Sequence, residues 1–162
     1  MKRITRDTAE VAILERFLIA YSKRFGVELS DIVHRDKPDF QVRNPKTDEI
    51  IGIEVTGVYQ NKREAKIQYS AINNWDRFKG STEELVKSLN ERLKDKSRKS
   101  KTYIFDGRMI LALWLGSLVF NQKIDADFIH RQLIIPDNEF SEIWLIIRDT
   151  DDFSPELYSL KA

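Results

Sequence analysis

Val11, Leu14, Leu18 and Tyr21 recur at helical spacing behind a capping Asp7 or Thr8, and Gly26 stands where such a helix stops. This spacing predicts a first helix ending near residue 25. A polar stretch at 27–37 follows with no readable period. The runs 39–44 and 50–59 then flank Pro45-Lys46-Thr47-Asp48, a turn composition, and predict a β-hairpin. Residues 62–78 and 82–96 suit two helices broken at Gly80 and Ser81, with Glu83 and Glu84 favourably placed in the first turn of the second. The runs 108–115 and 142–148 are apolar enough for central strands, 126–133 fits a helix between them, and 154–160 is a candidate edge strand. The expected fold class is α/β in one domain, a central sheet flanked by helices in the order α-β-β-α-α-β-α-β, with no repeat or long linker.

A hairpin turn centred between Lys46 and Thr47 sets Asp39 directly opposite Glu54. Alternation then gives Phe40, Val42, Ile51, Ile53 and Val55 to an apolar face, and Asp39, Gln41, Arg43, Glu54 and Thr56 to the other. Opposed residues on one face have Cβ atoms roughly 4.5–5.5 Å apart, where like charges repel. A divalent cation relieves that repulsion, because Mg²⁺ takes one or two carboxylates and completes its shell with water and phosphate oxygens. The pair is a candidate Mg²⁺ or Mn²⁺ site. A solvated sheet end with Arg43 nearby is the competing explanation, and a one-residue slip in register would separate the acids altogether.

Composition narrows the chemistry. The 162 residues hold no cysteine and two histidines, so thiolate chemistry is excluded and a metal would be held by oxygen. A formal net charge of +1 gives no global attraction to nucleic acid, which leaves the local run of Arg92, Lys94, Lys96, Arg98, Lys99 and Lys101 as a candidate phosphate-binding strip. The same residues also suit a helix C-terminus followed by a solvated loop. His34, near the Asp39 strand, could assist a proton transfer, whereas His130 carries no readable role. Trp75, Trp114 and Trp144 read as packing residues. The run 109–120 is shorter than the about 20 residues that cross a bilayer, and no signal-like segment stands at the start. A cytoplasmic protein without membrane partners is expected.

Lys37-Pro38-Asp39-Phe40 followed by Ile51-Gly52-Ile53-Glu54-Val55-Thr56 resembles the core signature of the PD-(D/E)XK nuclease superfamily. That resemblance implies a restriction-endonuclease-like mixed sheet, in which a helix bearing a Glu precedes the hairpin. It also implies Asp39, Glu54 and the Val55 carbonyl as metal ligands and assigns the helix acid to Glu15, with Glu10 as the weaker candidate. The family Lys two residues after the second acid is replaced by Thr56, about 6.6 Å along the strand from Glu54. A hydroxyl can hydrogen-bond phosphate but supplies no positive charge. Lys62 or Lys66, four residues apart on the next predicted helix, could return an ammonium to the site, with Arg63 and Gln68 as further candidates.

The function implied is metal-dependent hydrolysis of nucleic acid, DNA before RNA, with Glu15, Asp39, Glu54, Thr56, Lys62 and Lys66 as catalytic residues. The partners implied are DNA and either a second copy or a larger complex. The alternative from another class is a nuclease-like fold retained as an inactive binding or regulatory subunit, with Thr56 as the mark of lost activity. A third is a small α/β protein whose hairpin acids serve only solubility.

Overall fold

Strands that are apolar at every position can be buried only inside a sheet covered on both faces. A computed structural model, which describes residues 6–58, 82–115, 122–148 and 154–162, has this arrangement. Helix α1 (Arg6–Phe25) leads into β1 (Ser30–His34), β2 (Phe40–Arg43) and β3 (Ile50–Val58). Helix α2 (Thr82–Ser100), β4 (Arg108–Leu115), α3 (Gln122–His130), β5 (Glu142–Arg148) and β6 (Pro155–Lys161) follow. The six strands form one sheet in sequence order. β1, β2 and β3 are antiparallel neighbours, β3, β4 and β5 are parallel, and β6 returns antiparallel along β5. The protein is thus α/β with a mixed, open sheet.

Period-two alternation separates two cores. Ile51, Ile53 and Val55 of β3, Ile110, Ala112 and Trp114 of β4, and Trp144 and Ile146 of β5 pack with Ile13, Leu14, Phe17 and Tyr21 of α1. Met109, Leu111, Leu113, Ile143, Leu145 and Ile147 point to the other face, beneath Leu85, Leu89 and Leu93 of α2 and Ala126 and Ile129 of α3. Helix α1 stops at Gly26, whose φ of 66° favours glycine, and the Gly26 N–H bonds the Ser22 carbonyl at 2.8 Å. Its buried face is the expected one in part: Leu14 and Tyr21 are buried, joined by Ile13 and Phe17, whereas Val11 is 40% exposed and Leu18 only flanks the core.

The hairpin register is the predicted one, with Phe40 opposite Ile53 and Val42 opposite Ile51. The Asn44 side chain accepts the Lys46 N–H at 2.9 Å, and the Asp48 N–H bonds the Asn44 carbonyl at 2.8 Å. That local turn fixes the pairing. Beyond it, Arg108 at the start of β4 is within 3.0 Å of Glu49 and also pairs with Glu142, tying together the starts of β3, β4 and β5.

Three expectations need correction. The stretch 27–37 contains β1, so the order among the described residues is α-β-β-β-α-β-α-β-β. This strand escaped notice because it is a sheet edge with Asp31 at φ 51°, an irregular register, and Ile32 and Val33 about half exposed, so no alternation marks it. Helix α2 runs four residues past the expected end at 96, to Ser100, and α3 begins at Gln122 rather than 126. The helix expected at 62–78, with Trp75, lies outside the described residues. Trp114 and Trp144 are buried, as expected.

Gly52 shows how closely the loops press on β3. A methyl group there would meet Pro38 Cγ at 2.7 Å and the Phe105 ring at 3.1 Å. Gly52→Ala should therefore lower stability by about 1–3 kcal/mol. The measurement is the urea midpoint at unchanged m-value. A variant as stable as the parent would show that Pro38 and Phe105 do not seal this face.

Candidate active site

Asp39 lies just outside β2, and its side chain completes the pairing that the strand abandons. Asp39 Oδ2 accepts the Val55 N–H at 3.0 Å, while the Asp39 N–H donates to Glu54 Oε1 at 3.2 Å. The Val55 carbonyl lies on the same strand edge as its N–H, since a strand residue points both groups the same way. β3 continues beyond Ile53 without β2, and among the described residues no other strand lies beside it on this edge. The two acids are 6% and 2% exposed, so their charge has little water to screen it.

Glu54 is compensated from α2 and the segment after it. Lys96 Nζ stands 3.6 Å from Glu54 Oε2, its side chain only 11% exposed, and the Tyr103 hydroxyl donates to the same oxygen. Burial pushes the Glu54 carboxyl up, but the hydrogen bond from Asp39, the Lys96 charge and the Tyr103 hydroxyl outweigh it and hold Glu54 below its ordinary value. Asp39 moves the other way. Burial, the hydrogen bond to Glu54 and the Glu54 charge push it up to about 8, against the Val55 N–H and with help from the Glu10 charge. The pair therefore holds on to a proton above the ordinary carboxylate range. Burial and the bond to Glu54 also raise the Tyr103 phenol, which remains a donor.

Next to the acid pair, though lined by neither Asp39 nor Glu54, a cleft of about 320 Å³ opens between α1, the end of β3 and α2. Glu10, Thr56, Arg92, Asp95, Lys96 and Lys99 are in its lining. Lys96 and Val55 both line the cleft and both contact the acid pair, so they connect the two.

The structure redistributes the predicted roles. Asp39, Glu54, Val55 and Thr56 come together. Glu15 is exposed and absent from the cleft lining, while Glu10 takes that place. Five residues of helix rotate a side chain by about 140°, so only one of these acids can face the cleft. His34 stands 3.6 Å from Glu10 with its ring stacked on Phe40, and His130 contacts Tyr158 of β6. Lys62, Lys66, Arg63 and Gln68 lie outside the described residues. Of the basic run, Arg92, Lys96 and Lys99 line the cleft, Arg98 pairs with Asp95 at 2.9 Å and Lys101 with Asp137 at 3.3 Å. Lys94 is exposed and is not in the lining.

Sequence reasoning missed Lys96 as a partner of Glu54 and Tyr103 altogether. A signal for Lys96 existed, since it continues the Leu85, Leu89, Leu93 stripe, and a lysine on the core side of an amphipathic helix calls for a buried partner. Tyr103 had none.

The donor set suits a hard cation. Two oxygen ligands face each other and already retain a proton to offset their repulsion, and a divalent cation can take that place. Among the described residues no group of three or more Asp, Glu or His side chains gathers at ligand spacing, so water or substrate oxygens would complete the shell. No family model, curated protein or solved structure matches the chain.

The raised Asp39 value fixes the sign of a stability effect. Below 3.8, the ordinary value, folded and unfolded chains both carry the proton. Between 3.8 and about 8 only the folded chain keeps it, so stability attributable to Asp39 falls as pH rises through that window. The Asp39→Asn amide keeps an acceptor for Val55 and a donor for Glu54 at every pH. In chelator, Asp39→Asn should match the parent near pH 4 and exceed it above pH 8 by about 1–3 kcal/mol. Each kcal/mol is worth roughly 2–4 °C of melting temperature at this size. A difference independent of pH would mean that Asp39 ionises normally.

Proposed function

We propose that this chain hydrolyses phosphodiester bonds of nucleic acid, DNA in the first place, as a divalent-metal-dependent nuclease of restriction-endonuclease-like fold. The observation that carries this reading is the Lys96–Glu54 pair beside the cleft, which puts an ammonium beside the second acid although Thr56 occupies the family's lysine position. α2 supplies from a different backbone position the charge that β3 lacks.

Asp39 and Glu54 would hold Mg²⁺ or Mn²⁺, with the Val55 carbonyl as a further ligand. When bound, the cation would polarise the scissile phosphate and lower the pKa of an attacking water. Lys96 would stabilise negative charge building on the phosphoryl oxygens, where a fixed donor in a water-poor site is worth most. Thr56 offers a hydroxyl to the same oxygens. Tyr103 holds Glu54 in position by donating to its Oε2. Glu10, from α1, would orient water in the role that the sequence assigned to Glu15.

The test is cleavage of single-stranded, duplex and branched DNA and of RNA in Mg²⁺ and Mn²⁺. Wild type should cut at least one of these. Asp39→Asn and Lys96→Met should lower kcat about 10²–10³-fold, the usual cost of one transition-state donor, while Glu15→Ala leaves it unchanged. Melting temperatures separate loss of fold from loss of chemistry. Undiminished cleavage by Asp39→Asn and Lys96→Met would sink the mechanism. Binding of DNA by a wild type that cuts nothing would instead support a binding or regulatory subunit.

A further inference from the structure

Helix α2 presents three stripes. Leu85, Leu89 and Leu93 face the core. Arg92, Lys96 and Lys99, spaced by four and three residues, share the adjoining face and line the cleft. Lys94 falls on the far side, since two residues of helix turn a side chain by about 200° from Arg92, and Lys101, just past the helix end, pairs with Asp137 at 3.3 Å. The basic run is therefore two populations with different surroundings, and only one of them lines the cleft, where its middle member, Lys96, reaches Glu54.

We infer that Arg92 and Lys99 form a phosphate track on either side of Lys96, which seats several consecutive nucleotides of one strand and makes a polynucleotide, not a mononucleotide or phosphomonoester, the substrate. This rests on the nuclease reading for what happens at Lys96. Arg92 and Lys99 are separated by about 10 Å along the helix. That span exceeds the distance between neighbouring phosphates of one strand, so the cations at its two ends meet different phosphates. Arg92 precedes Lys96 by one turn and Lys99 follows it by nearly one, so the flanking phosphates have a cation each while the central one meets Lys96.

Asp95 in the same wall is an acid that would repel phosphate if left alone. It is held instead by Arg98 at 2.9 Å and by Lys99 at 3.1 Å. Lys99 keeps further N–H donors, since an ammonium has three. Arg98, outside the cleft lining, neutralises Asp95 from behind and leaves the cleft face net basic at this wall.

The experiment measures binding without hydrolysis. A fluorescent oligodeoxythymidylate of about 12 nucleotides, within the roughly 4–16 that single-strand sites cover, is titrated by anisotropy in chelator over a range of salt. Wild type, Arg92→Ala/Lys99→Ala and the equal-charge control Lys94→Ala/Lys101→Ala are compared, the chelator preventing metal-dependent cleavage. Loss of two single-strand phosphate contacts should lower the slope of log Kd against log salt by about 1.4 and weaken binding about tenfold at low salt. The control should keep the wild-type slope. Equal loss in both double variants would reveal diffuse attraction and overturn the track, as would no loss in either or no binding by wild type. A wild type that cuts DNA while Arg92→Ala/Lys99→Ala binds and cuts equally well would overturn the track and leave the nuclease reading standing. Track-dependent binding without cleavage would do the reverse.

Discussion

A carboxylate buried in the middle of a central strand is the constraint on which this structure turns. Glu54 sits on β3 with apolar residues before and after it, and at 2% exposure it has lost nearly all its water. An ion so placed costs several kcal/mol unless charge and hydrogen bonds replace the solvent. Three distant pieces of chain converge to do that: the Asp39 backbone N–H, the Lys96 ammonium and the Tyr103 hydroxyl. α2 must dock so that Lys96 reaches over the sheet, and the segment after it must turn back toward β3. Apolar residues of similar volume would have given an equally good or better core. Two acids, a lysine and a phenol meeting beside a cleft are the kind of perturbed ionisable cluster on which the proposed function rests.

The cleft follows from unequal strand lengths. β2 pairs with only the first part of β3, so among the described residues the second part has no strand beside it on that edge. One core lies under α1 and the other under α2 and α3, and both are continuous through β4 and β5. They lie on opposite faces of the sheet, and the cleft opens where α1 and α2 flank the end of β3. Residues that would otherwise be surface become convergent there: Glu10 from one helix, Arg92 and Lys99 from the other, Thr56 from the strand.

Thr56 and Lys96 bear on the same question from two sides. Under the proposed function, Thr56 leaves the strand without the charge that the signature it resembles carries two residues after its second acid. Lys96 of α2, 3.6 Å from Glu54, would then supply an ammonium from a different backbone position. Side chains reach a point in space from several backbone positions, so the chemistry of a site can persist while the motif that announces it breaks.

What the sequence determined by itself was local. Turn composition at 45–48 and strict alternation on either side specified the hairpin register, because a one-residue slip would expose Phe40, Val42, Ile51 and Ile53 together. The opposition of Asp39 and Glu54, the burial of β4 and β5 and the end of α1 at Gly26 followed from the same short-range rules. β1 was not legible, since a bulged, half-exposed edge has no period to read. Which helical acid faces the cleft and which lysine reaches Glu54 were decided only by tertiary structure. Helical periodicity states that Glu10 and Glu15 face different ways and that Lys96 follows the leucine stripe, but not which neighbour either meets. That depends on how each helix is rotated and docked on the sheet, which the packing of the two cores settles among residues far apart in the chain.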